Sequence, residues 1–205
     1  MHDNALTKEA ASLFPLLSKF EPFYLVGGTA LALQIGHRVS VDFDLFSYEE
    51  LSEGLLQKIK RVFPEARREV TLRTLDQINL LIDGIKTTFF HYPYKPIVPF
   101  VEYKTVSLAS VQEIAAMKAF AIGKRLSYKD YIDWYFLLHE EHVKLKEIIA
   151  VANEKYGGDF NDRLFLEQLA SLSDVQTVGI DFLRDPIERR ALEDFLEQTV
   201  RDFEF

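Results

Sequence analysis

Residues 23 to 47 read FYLVGGTALALQIGHRVSVDFDLFS, which sets a short apolar run, a glycine pair, a helix-like segment and an alternating apolar-acidic run end to end. Phe23 to Val26 has strand character and stops abruptly at Gly27-Gly28, where the chain turns tightly. Residues 29 to 35 return to helical spacing. From Val41 to Phe46 apolar and acidic residues alternate strictly, as in a half-buried strand. Asp42 and Asp44 therefore share one face, with Val41, Phe43 and Leu45 turned towards a core. Two carboxylates this close are unfavourable unless a cation neutralises them. A polar solvent face on an edge strand explains the alternation equally well.

Outward from this stretch the chain reads as two unlike halves. Residues 5 to 20 have helical spacing, and Ser47-Tyr48-Glu49-Glu50 has the spacing of a capping box, which predicts a helix through about Val62. From Glu69 to Val101 the pattern is β: Val70 and Leu72, then Ile78 to Ile82, an Asp83-Gly84 turn, and Ile85 to Tyr92. A second box, Ser110-Val111-Gln112-Glu113, opens a helix to about Arg125, and residues 128 to 139, 143 to 156, 161 to 171 and 186 to 203 are helical in pattern. The expected fold class is α+β. Residues 1 to 105 form a mixed or antiparallel sheet with flanking helices, and residues 106 to 205 form a C-terminal helical bundle.

With 205 residues, 48% of them hydrophobic, the chain is long enough for a sizeable core, and charged residues interrupt every apolar run well short of the ~20 that a membrane helix needs. There is no cysteine, which removes disulfides, thiolate zinc sites and cysteine nucleophiles. MHDNALTKEAASLF has neither a basic leader nor an apolar signal core, so the expected location is the cytoplasm. A net charge of -8 opposes non-specific adhesion to nucleic acid. The densest basic stretch, Lys58, Lys60, Arg61, Arg67, Arg68 and Arg73, is interrupted by Glu65 and Glu69 and reads most simply as a solvated mixed-charge surface.

The glycine turn and the acidic strand acquire a chemical meaning together. A glycine pair at the start of a helix lets backbone N-H groups approach a ligand, and the helix dipole favours an anion there, so Gly27, Gly28 and Thr29 suit a phosphate. Arg38 and Ser40, just before Asp42, are candidates to touch the same phosphate, whereas His37 suits a structural role. Magnesium prefers a couple of carboxylates completed by phosphate oxygens and waters, which matches Asp42 and Asp44. Phosphoryl and nucleotidyl transfer needs this combination of orientation and charge neutralisation. Further along, Lys118 and Arg125 are seven apart on one predicted helix and able to present two cations from one face; a solvated basic stripe is the plain alternative. Asp133 lies among Tyr131, Ile132, Trp134, Tyr135, Phe136, Leu137 and Leu138, so its carboxylate is expected to be buried and to need a partner. Lys129, four residues earlier, is the local candidate, either as a structural ion pair or as a group facing a nucleotide together with Asp133.

The string GGTALALQIGHRVSVDFDLFS resembles the first motif of the minimal nucleotidyltransferases in the DNA polymerase β superfamily, and more narrowly that of the AbiEii/AbiGii toxin family. AAMKAFAIGKRLSYKDYIDWYFLL looks like the second conserved block of the same family, and FFHYPY between them is also similar. The resemblance covers residues 24 to 138, with both long blocks in order, and implies that Gly27, Gly28 and Thr29 hold nucleotide phosphates while Asp42 and Asp44 ligate magnesium. It also implies nucleotide-facing roles for Lys118, Arg125, Lys129 and Asp133. The function implied is magnesium-dependent transfer of a nucleoside monophosphate from a triphosphate to a hydroxyl on RNA, such as transfer RNA, or on protein. A type IV toxin-antitoxin context with a cognate antitoxin comes with it. One departure stands out. Polymerase β-like enzymes present a third carboxylate from a neighbouring strand, and Lys86 to His91 offers none. Either two acids suffice with help from a residue such as Asp133, or the protein is a catalytically weak nucleotide-binding module.

Overall fold

The acidic strand lies in the middle of a sheet. In the computed structural model, which describes every residue except Gly123, Leu126 and Phe205, seven strands make one mixed sheet. They are β1 (Tyr24–Val26), β2 (Phe43–Ser47), β3 (Arg68–Arg73), β4 (Gln77–Ile82), β5 (Ile85–His91), β6 (Val101–Tyr103) and β7 (Val106–Leu108). Their order is β3-β4-β5-β2-β1-β7-β6. β2 runs antiparallel to β1, with Asp44 opposite Val26, and parallel to β5, with Asp44 opposite Thr88. A strand hydrogen-bonded on both sides is no edge, so the edge-strand explanation of its alternating acids falls away.

One face of the sheet is the core face. Phe43 and Leu45 of β2 pair with Thr87 and Phe89 of β5, and all four are buried. Phe89 meets Phe20 and Phe23 edge-on, at centroid distances of 5.0 and 5.2 Å. Phe20 comes from a 3-10 segment that continues α1 (Lys8–Leu13), and it stacks on Phe63 at the end of α3 (Leu55–Val62). α2 (Gly27–Ile35) is apolar nearly all round and buries Ala30, Leu31, Ala32, Leu33 and Ile35. The opposite face carries Asp44, Phe46, Thr88, Phe90, Asn79 and Gln77 on β2, β5 and β4.

Several local expectations are corrected. Val41 precedes β2 and is 38% exposed, so the chain has not yet entered the sheet there and only Phe43 and Leu45 face the core. The Ser47 box does not start a helix. Ser47 ends β2, its hydroxyl accepts from the amide of Glu49 at 2.9 Å, and α3 begins at Leu55. This is the short-range turn that serine side chains offer in competition with helix capping. The helix read over residues 5 to 20 is α1 followed by 3-10 turns, Phe14–Phe20. β6 and β7 extend the sheet beyond the meander read from the sequence, and β7 pairs with β1 at Leu25–Leu108. The Asp83-Gly84 turn is as read, with positive φ at both residues, as a two-residue hairpin of type I′ requires.

Two compact units divide the chain, Met1–Ser110 and Val111–Phe205. The sequence reading set the boundary between residues 105 and 106; β7 carries the first unit past it. The second unit contains α4 (Val111–Ala121), α5 (Tyr128–His139), α6 (Leu145–Tyr156), α7 (Asp162–Leu169) and α8 (Arg189–Arg201). α4 lies against α6, and α8 against α5 and α7. Trp134 on α5 is buried against Phe165 on α7, 5.3 Å between ring centroids. Glu113 of the second capping box is fully buried and pairs with Lys155 of α6 at 2.7 Å. Arg189 clasps the start of α8 to the preceding loop through the carbonyls of Leu172 and Val175, at 2.6 and 2.7 Å.

Because Phe89 is fully buried and touches two further rings, Phe89→Ala should destabilise the first unit by about 3–5 kcal/mol, measured as a lowered urea midpoint of the full chain.

Candidate active site

Gly27 and Gly28 form a turn pressed against charged side chains. Gly27 has φ +71°, and a Cβ there would lie 2.6 Å from Oδ2 of Asp44. A Cβ on Gly28 would lie 2.5 Å from Nη2 of Arg38 and 3.3 Å from Oγ of Ser40. Glycine is favoured by conformation at the first position, and a side chain at either would displace the end of Asp44 or of Arg38. α2 begins here with Val26 as its N-cap, and no side-chain cap is made. Its first-turn amides and the positive end of its dipole are left for an anion.

The loop that returns to β2 is fastened to this turn. Thr29 is buried, and its hydroxyl donates to the carbonyl of Asp42 and shares a hydrogen bond of 2.9 Å with the Ser40 hydroxyl. Arg38 is 3% exposed and donates to the carbonyl of Val39 at 3.2 Å. His37 is fully buried. Asp42 and Asp44 are half-buried at alternate positions, the first just before β2 and the second within it. Gly27, Gly28, Thr29, Arg38, Ser40, Asp42 and Asp44 therefore belong to one cluster in the first unit.

This donor set fits a magnesium ion. Two carboxylates at alternate positions, one of them against a glycine turn, are the hard oxygen donors that magnesium takes together with phosphate oxygens and waters. Among the described residues, no group of three or more His, Asp and Glu side chains is arranged to hold a metal by itself. The residue beside Asp44 on β5 is Thr88, and Asp83, in the turn between β4 and β5, accepts from the amide of Arg67 just before β3 at 2.8 Å.

The second unit holds a buried charge cluster. Lys118 Nζ lies 2.6 Å from Asp133 and 2.7 Å from Asp130, with all three side chains at most 4% exposed. Arg125 grips Asp130 with two hydrogen bonds of 2.8 and 3.0 Å. Burial by itself pushes the Lys118 ammonium down, but the Asp133 and Asp130 carboxylates outweigh it and raise its pKa. Burial pushes Asp130 up, and the cations Lys118 and Arg125 more than reverse this, holding it below the ordinary 3.8. Three expectations change here. The cation of Asp133 is Lys118 from α4, whereas Lys129 is exposed. Arg125 lies beyond the end of α4, so it meets Lys118 through their shared carboxylate and not along one helix face. Asp130, given no role from the sequence, is the centre of the cluster; its signal was its place beside Lys129 in the quoted KDYID string.

A nucleotidyltransferase-like sheet with a glycine turn against an acidic strand defines the class. The description "Nucleotidyl transferase AbiEii toxin, Type IV TA system" matches residues 11–204, and the chain belongs to this family of transferases. An uncharacterized protein of Aquifex aeolicus (strain VF5) is 30% identical over 200 residues, 96% of this chain and 95% of the relative. The fold is similar to MenT4, a nucleotidyltransferase toxin from Mycobacterium tuberculosis H37Rv, at TM-score 0.57 and 16% identity, covering 99% of this chain and 88% of that one. It is also similar to JHP933 from Helicobacter pylori, at TM-score 0.54 and 15% identity, covering 96% and 95%. No helix among the described residues is long and apolar enough to cross a membrane.

Removing Lys118 leaves two buried carboxylates without their shared cation, so Lys118→Ala should cost about 3–5 kcal/mol of stability. The lowered pKa of Asp130 adds stability that is fully present above its ordinary 3.8 and is lost as pH falls through the lower folded value. Fluorescence of Trp134, the single tryptophan, should report this acid loss, and Asp130→Asn should flatten it.

Proposed function

We propose that this protein transfers a nucleoside monophosphate from a nucleoside triphosphate to a hydroxyl acceptor and releases pyrophosphate. The observation that carries the reading is the turn whose two glycines back onto Asp44 and Arg38 at an uncapped helix start. Asp42 and Asp44 would hold magnesium, which when bound supplies charge neutralisation at the phosphates. The amides of Gly27 and Gly28, with Arg38, would bind the phosphates that leave as pyrophosphate. Thr29 and Ser40 position the Asp42 loop through their mutual hydrogen bond. In the transfer step the acceptor oxygen bonds to the α-phosphorus, the bond from that phosphorus to the αβ-bridging oxygen breaks with its electron pair going to the departing pyrophosphate, and the acceptor's proton passes to solvent water. Lys118 and Asp133 are assigned to catalysis, and Arg125 and Lys129 to nucleotide binding, by resemblance.

The acceptor is RNA, transfer RNA included, or protein, and the setting is cytoplasmic, under control of a cognate antitoxin. A second reading rests on Thr88, which stands beside Asp44 where a third acid would serve: a nucleotide-binding module with little turnover. Labelled triphosphates incubated with magnesium and total cellular RNA should give metal-dependent incorporation, which Asp42→Asn lowers at least about a hundredfold. Incorporation that persists in the variant would discard the site. Nucleotide binding by calorimetry with no turnover on RNA or protein would favour the module.

A further inference from the structure

On the assumption of that transferase reading, we infer that the open face of β5 and β4 is the acceptor subsite, with Thr88 and Asn79 holding the terminal ribose of an RNA and Lys86 its neighbouring phosphate. In-line displacement requires the attacking and leaving oxygens on opposite sides of the transferred phosphorus. The glycine turn and Arg38 lie where β1 ends, on one flank of Asp44. The attacking hydroxyl therefore arrives over the other flank, which is β5.

That flank is polar and ordered. Thr88 pairs with Asp44 on one side and with Asn79 on the other, so the three side chains form a row across adjacent strands at a spacing of about 4.8 Å. Thr88 is 7% exposed, and its hydroxyl has no hydrogen-bond partner among the described residues. Asn79 accepts from Gln77 Nε2 at 2.8 Å through its side-chain oxygen, which fixes the amide and leaves its NH2 to be donated to a ligand oxygen. A hydroxyl and an amide donor beside the reacting centre suit a ribose.

Charge selects RNA over protein as the carrier of that ribose or hydroxyl. Lys86 is exposed, two residues before Thr88 and hence on the same face of β5. Beyond it, Leu81 and Glu69 continue the row to a hollow of about 190 Å³ lined by Arg67, Glu69, Leu81 and Gly84. Arg67 is 87% exposed in its side chain, and its 4.0 Å approach to Glu69 is a loose surface pair that competes little with a phosphate.

Transfer kinetics and RNA binding of the full chain test this, with bulk cellular RNA as the acceptor and calorimetry for the triphosphate. Thr88→Val and Asn79→Ala should raise the KM for RNA about five- to tenfold with triphosphate affinity unchanged, and Thr88→Ser should restore it. Lys86→Ala should reduce the slope of log affinity for RNA against log salt by about one, which a purely structural role would not do. Unchanged acceptor KM and salt slope in variants of an active enzyme overturn the inference alone, as does label found on protein with none on RNA. A wild-type chain that binds no triphosphate overturns the transferase reading itself.

Discussion

Asp42 and Asp44 carry like charges at alternate positions, and the first unit fastens the chain at both. Hydrogen bonding of β2 to both β1 and β5 leaves Asp44 little freedom to swing away. Gly27 closes the other side, since any larger residue would strike the Asp44 carboxylate. Thr29 then ties the backbone of Asp42 to the same helix start. A sheet centre and a helix start together fix the backbone at both acids. The turn that restrains Asp44 is also the uncapped start of α2.

The second unit sets its own cations against a pair of buried carboxylates. Asp130 and Asp133 would repel in a buried helix, and Lys118 from α4 sits between them with Arg125 closing the outer side. Two cations and two carboxylates make a locally neutral cluster, which is why groups at most 4% exposed tolerate full charge. Glu113 and Lys155 repeat the device between α4 and α6. Both pairs involve α4, which is therefore specified in position by electrostatics as well as by its small apolar residues.

Local chemistry was legible in the sequence wherever a short pattern has one physical outcome. Asp83-Gly84 dictates a two-residue turn, and the residues from Tyr128 to His139 form the helix that their composition requires. Alternation from Asp42 to Leu45 correctly separates a half-buried acidic face from a core face. Ser47 was misread because its hydroxyl serves a tight turn as readily as a helix cap, and nothing nearby distinguishes the two. β6 and β7 are three residues each, too short to announce themselves, and exist because β1 offers a partner more than seventy residues earlier in the chain.

The sequence by itself determined the glycine turn, the acidic pair and the helical character of the second half, since each depends on neighbours within a few residues. Tertiary structure alone decided that β2 is central, that Thr88 stands beside Asp44, and that Lys118 rather than Lys129 neutralises Asp133. The physical reason is separation along the chain. Periodicity records which residues share a face, but strand order and charge pairing are settled between segments whose mutual distance only the folded chain defines.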